Sequence, residues 1–183
     1  LITLVSVCVY LVLIPIALIN SVPGFIPDIV VFMLFPLDFN WLYDTLRLNP
    51  ITFSLLNLGP LPHALGIFGW YNTSPFPFQW DHFTHLAGLF PPAIVFTIFF
   101  SQWMDEKILT KKNLLLLASV FLLVSGIGAM IELSEFLGYL SLGFGEGGFQ
   151  FGPGDGTDAA SIDDIGGGWI NTGWDLIYNT VAI

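Results

Sequence analysis

Apolar and polar positions alternate along this chain in long blocks. Leu1 to Ile19 is a nearly unbroken apolar run, interrupted only by Pro15 and long enough to cross a bilayer; its Leu, Val and Ile content also suits a signal anchor. Asn20 to Gly24 reads as a turn. Phe25 to about Tyr43 is a second span, interrupted by Pro27, Asp28, Pro36 and Asp38, with Trp41 and Tyr43 placed as an aromatic belt. A loop from Asp44 to Pro50 follows and contains Arg47. Ile51 to Tyr71 is the third span, kinked at Pro60 and Pro62.

Asn72 to Gln79 is rich in proline and cannot be helical throughout. Asn72-Thr73-Ser74 within it fits the glycosylation acceptor pattern, a motif short enough to occur by chance. Trp80 to Phe100 is the fourth span, Ser101 to Asn113 a polar loop, and Leu114 to about Leu140 the fifth span. Small residues at Ser125, Gly126, Gly128 and Ala129 allow a neighbouring helix to approach closely. Ser141 to Gly168 is a glycine-rich acidic loop without a base. It reads as solvated; Asp155-Gly156-Thr157-Asp158 departs from the EF-hand pattern and makes a weak calcium signal. Trp169 to Ile183 opens a sixth, short span. The pattern predicts an all-α, polytopic transmembrane bundle of about six spans, with residues 1–183 forming one transmembrane domain.

Composition agrees. The chain is 55% hydrophobic and only 10% charged, where a soluble domain carries about a quarter charged residues. Fourteen acids against four bases give a net charge of −10. That excludes a nucleic-acid partner, which needs Lys and Arg to displace counterions, and leaves the lipid bilayer and other membrane subunits as partners. Cys8 is the single cysteine, so no disulfide forms within the chain.

Charge also orients the chain. Lys107, Lys111 and Lys112 lie in the 101–113 loop, which the positive-inside rule places in the cytoplasm. Counting spans outward puts Arg47 on the same side and the 141–168 loop outside.

Three polar clusters then share one depth. Asp81 and His85 open the fourth helix, and Asn171 and Asp175 open the sixth. Glu132 and Glu135 sit roughly 27 to 32 Å along the fifth, at about 1.5 Å per residue. Each pair has i, i+3 or i, i+4 spacing and so occupies one helix face. Asp81, His85, Glu132, Glu135 and Asp175 are the candidate ligands of a divalent metal ion such as zinc, manganese or iron. Asn171 and His63 are supporting candidates, His63 because an ionisable group at depth in a bilayer marks function by default. Such an ion can acidify water for hydrolysis of a lipid-linked substrate. The same side chains can instead relay protons, or simply tie helices together in a non-catalytic accessory subunit of a larger complex.

The stretch from about His63 to Asp175 resembles the YjdF-like inner-membrane proteins. The resemblance rests on His63-Ala64-Leu65-Gly66, Trp80-Asp81 with His85, Glu132 with Glu135, and Trp169 followed by Trp174-Asp175. The family's closing segment looks like Trp-Asp-Thr-x-Trp-Asp; here Asn171 stands in place of one aspartate, one residue further from the tryptophan. A fainter similarity to VanZ-like membrane proteins follows the same Asp, His, Glu, Asp order. The resemblance implies a multi-spanning membrane fold without implying a reaction. Other enzyme templates lack support: Gly166-Gly167-Gly168 has no phosphate-loop context, and Ser134 has no nucleophile setting.

Overall fold

The computed structural model describes residues 1–142 and 165–183. Most of the acidic glycine-rich loop, including the calcium-like Asp155-Gly156-Thr157-Asp158 stretch, lies outside the described residues. The described residues form helices without strands: α1 Ile2–Ile19, α2 Ile26–Trp41, α3 Pro50–Leu58, the short α4 Leu61–Ala64, α5 Trp80–Ser101, α6 Lys111–Leu142 and α7 Ile165–Val181.

Among the described residues, five segments are long and apolar enough to cross a membrane: Ile2–Ile19, Pro23–Trp41, Pro50–Phe68, Trp80–Ser101 and Lys111–Gly138. The expected sixth helix is α7, 17 residues long, and it begins at Ile165, inside the segment expected to be loop. Apolar side chains line the outside of the bundle, among them Leu115, Leu122, Met130 and Phe136 of α6, as a bilayer requires.

The third span breaks where its sequence demands it. Asn49 caps α3 by accepting from the Ile51 and Thr52 amides at 2.9 and 3.0 Å, while Thr52 Oγ1 accepts from the Asn49 amide. That reciprocal box and Pro50 in the first turn start the helix cleanly. Gly59, Pro60 and Pro62 then interrupt it, since proline has no N–H to give. Carbonyls at such a break need partners inside a membrane. Tyr10 OH donates to the Asn57 carbonyl at 2.8 Å, Trp80 Nε1 to that of Pro62 at 3.1 Å, and Asn20 Nδ2 to that of Ile67 at 2.9 Å.

Three apolar clusters hold the bundle. Near one end, Leu48, Phe53, Leu56 and Val95 pack with Ile2, Phe39, Tyr43 and Leu46. Arg47 belongs to this end, and α5 continues from Val95 to the 102–110 loop bearing Lys107, so all four bases share it. At the other end Ala17, Phe25, Ile67, Tyr71 and Trp80 pack together. Between α5, α6 and α7, Leu89, Ala93, Val120, Val124 and Ala182 form the third cluster. Contacts of His82 with Asp175 and His85 with Asn179 show α7 running parallel to α5, and those of Glu132 with Thr172 and Gly128 with Asn179 show it antiparallel to α6. Gly128 makes that contact possible: a Cβ there would stand 2.7 Å from Asn179 Nδ2 and 3.0 Å from Leu89 Cδ1. Gly126, expected to help in the same way, faces open space.

Candidate metal centre between α5, α6 and α7

Parallel packing of α5 and α7 puts two polar ladders face to face. Asp81, His82 and His85 occupy the first turns of α5. Asn171, Asp175 and Asn179 recur every four residues on α7, whose other side exposes Trp174, Ile177 and Val181. His82 Nδ1 lies 2.9 Å from Asp175 Oδ1, and His85 Nδ1 lies 3.2 Å from Asn179 Oδ1. Asn171 Nδ2 donates both to Asp81 Oδ2 at 3.1 Å and to Asp175 Oδ2 at 2.6 Å. The amide therefore clasps two carboxylates that would otherwise repel each other, a task aspartate could not perform as an anion.

α6 brings the remaining acids. His85 Nδ1 is 3.5 Å from Glu132 Oε1, and His85 Nε2 is 3.6 Å from Asp81 Oδ1 and 3.9 Å from Asp175 Oδ1. One imidazole thus faces three carboxylates. Thr172 hydrogen-bonds the Glu132 carboxyl, yet Glu132 Oε1 is buried without a hydrogen-bond partner among the described residues. His82 is further fixed by stacking on Tyr178, with ring centres 4.6 Å apart at 18°.

The ligand atoms fall into two adjacent triads. Asp81, His82 and Asp175 form one, all buried; His85, Glu132 and Glu135 form the other, with Glu135 half-buried. Within each triad the donor atoms lie within 4.8 Å of one another. Metal–ligand bonds of about 2.0–2.2 Å require spacings on this scale.

All five expected ligands therefore meet in one region, with Asn171 bridging Asp81 and Asp175. His82 and Asn179 were not anticipated. His82 is three residues before His85, and Asn179 continues the Asn171–Asp175 spacing by one more turn, so both signals lay in the sequence. His63 stands elsewhere: its Nε2 is 3.4 Å from Asp28 Oδ2 and its Nδ1 is 2.7 Å from the Tyr71 hydroxyl. Asp28, read from sequence only as an interruption of the second span, is almost fully buried beside it.

A family model described as "Predicted membrane protein (DUF2238)" matches residues 1–182. The chain belongs to this family. The YjdF-like resemblance agrees with DUF2238 membership, and the VanZ-like similarity stands as an expectation from the residues. No curated protein and no solved structure matches the chain. DUF2238 membership thus supports the membrane fold, and any chemistry of this DUF2238 protein has to be argued from its own side chains.

Proposed function

We propose that this membrane protein binds a divalent cation of the zinc, manganese or iron class between α5, α6 and α7. One observation carries the reading. Asp81, Glu132, Glu135 and Asp175 gather around His82 and His85, while all four bases sit at the other end of the bundle. Four carboxylates in a region of low dielectric repel one another and need a positive partner. Glu132 Oε1, buried and lacking a hydrogen bond, points to the same need. Mixed carboxylate and imidazole donors suit these metals. A cation held there has the capacity to acidify water, which would make hydrolysis of a lipid-linked substrate its natural chemistry.

Convergence of several acids on His85 favours a cation over the accessory-subunit reading, under which the same side chains would pair singly with separate neighbours. With the basic end in the cytoplasm, the centre faces the opposite side, and the whole chain acts as one membrane domain.

Metal analysis of protein purified without chelator tests the proposal, with wild type beside Glu132→Ala and Asp81→Ala. Stoichiometric metal in wild type and its loss in both variants is the expected result. A folded wild type without metal overturns it and puts a proton-sharing network in its place.

A further inference from the structure

A second feature lies against the far side of His85. A cavity of about 490 Å³ runs along α5, with α2 on one side and α6 on the other, within the size range of small-molecule sites. Its lining changes character along its length. Toward the basic end it is largely apolar, walled by Phe35, Phe39, Leu89, Val95 and Phe96, with Asp38 as the one acid there. Toward the other end it meets Asp28, Thr84, His85, Ser134 and Glu135. From His85 to Val95 the helix rises about 15 Å, so the apolar part has the length of a lipid chain segment.

Polar groups at that end are mostly acceptors. Thr84 and Ser134 give their hydroxyl protons to the carbonyls of Asp81 and Met130, at 2.7 Å each, which leaves oxygen lone pairs. Asp28 and Glu135 bring carboxylates. Pro92, also in the lining, supplies no N–H to the Gly88 carbonyl one turn earlier. No Lys or Arg among the described residues lines the cavity. An anionic head group finds repulsion here, whereas a hydrogen-bond donor finds partners.

Gly88 adds an independent sign that the space is meant to stay open. It lines the cavity in mid-helix, and a Cβ there would meet nothing within 4 Å. Packing does not impose glycine at this position, and glycine costs a helix stability relative to alanine. Gly59, by contrast, is held by its neighbours: a Cβ there would stand 3.3 Å from Pro91 Cγ.

We propose that this cavity binds a single-chain lipid whose head is a hydrogen-bond donor, a hydroxyl or an amine, with its chain lying along α5 toward the basic end. The donor would be shared among the oxygens of Thr84, Ser134, Glu135 and Asp28. His85 and Glu135 also belong to the candidate metal centre, but Thr84, Ser134 and Asp28 bring acceptors of their own, so the proposal does not depend on a cation there.

Photolabelling in lipid nanodiscs tests it, using diazirine-bearing hexadecanol, hexadecylamine and palmitate as separate probes and peptide mapping to locate the label. Labelling of α2, α5 and α6 peptides by the alcohol or the amine, falling about tenfold in Gly88→Leu, is the expected result. The alcohol and amine arms separate a neutral from a cationic head. Gly88→Ala, which adds one methyl into open space, controls for folding and should label more strongly than Gly88→Leu. Palmitate labelling equal to the alcohol's overturns the donor-head selection. Label confined to the outward residues of α6, or unchanged in Gly88→Leu, overturns the site. Metal content measured on the same samples keeps failure of this proposal distinct from failure of the cation centre.

Discussion

His82 on α5 and Asp175 on α7 face each other at 2.9 Å between Nδ1 and Oδ1, and Asp175 has no exposed surface. The pair joins the helix that opens the site to the one that closes it. Removing either member costs the other this buried contact, about 1–3 kcal/mol, while Asp175 keeps its hydrogen bond from Asn171. His82→Ala and Asp175→Ala are each expected to lower the unfolding midpoint in detergent. The double variant should lose clearly less than the two single losses together, because both remove the same contact. Simple additivity would show that the two side chains act separately.

Asn171 donates to Asp81 and Asp175 at once. Asn171→Asp puts a fifth carboxylate where a donor stood, so the variant should be less stable than wild type in chelator. Excess zinc or manganese should return much of that loss, since a ligand at a hundred times its Kd stabilises by about 2.7 kcal/mol. Thermal melts with and without the ion check this; a variant as stable as wild type in chelator contradicts the clasp.

Glu132 is the acid expected to respond most directly to metal removal. Glu132→Gln takes one negative charge from the cluster and one ligand from the triad. In chelator it should melt above wild type; with metal present the order should reverse. A melting point below wild type under both conditions would mean that the Glu132 carboxylate is held by the protein's own donors.

Gly128 and Gly126 are two residues apart and differ in surroundings. Gly128→Val drives its side chain into Asn179 and Leu89, an overpacking that costs about 1–3 kcal/mol. Gly126→Ala meets open space and should gain about 0.5–1 kcal/mol from helix propensity. Paired melting curves give both signs; a neutral Gly128→Val would mean that α6 and α7 pack further apart than described.

Outside the membrane, Asp105 accepts hydrogen bonds from Lys112 Nζ and Thr110 Oγ1, each at 3.0 Å. The lysine hydrogen bond, with help from the threonine, holds its carboxyl below the usual aspartate range. With the folded value depressed, this contact favours the folded loop above the ordinary aspartate pKa. The benefit fades as pH falls through the depressed value. An NMR titration of Asp105 should give a midpoint below that of a free aspartate, and Lys112→Ala should raise it. An unchanged midpoint in Lys112→Ala would assign the shift elsewhere.

Sequence by itself determined the membrane character and the positions of the spans, because the length and apolarity that suit a stretch to a bilayer are local properties. It likewise placed Asp81 with His85 and Glu132 with Glu135, since a helix carries residues three or four apart on one face. It also located the break at Pro60 and Pro62. Same-face reasoning stopped short at His82, three residues before His85, and at Asn179, one more turn along the Asn171–Asp175 face. Tertiary structure alone decided the rest. Parallel packing of α7 on α5 brings Asp175 to His82 across 93 positions, and the close approach of α6 at Gly128 brings Glu132 to His85. The same packing makes Asn171 a donor between two acids, seats His63 beside Asp28, and leaves the cavity along α5. Helix faces are written in local spacing, but which faces meet depends on how whole helices pack, and no short stretch of chain encodes that.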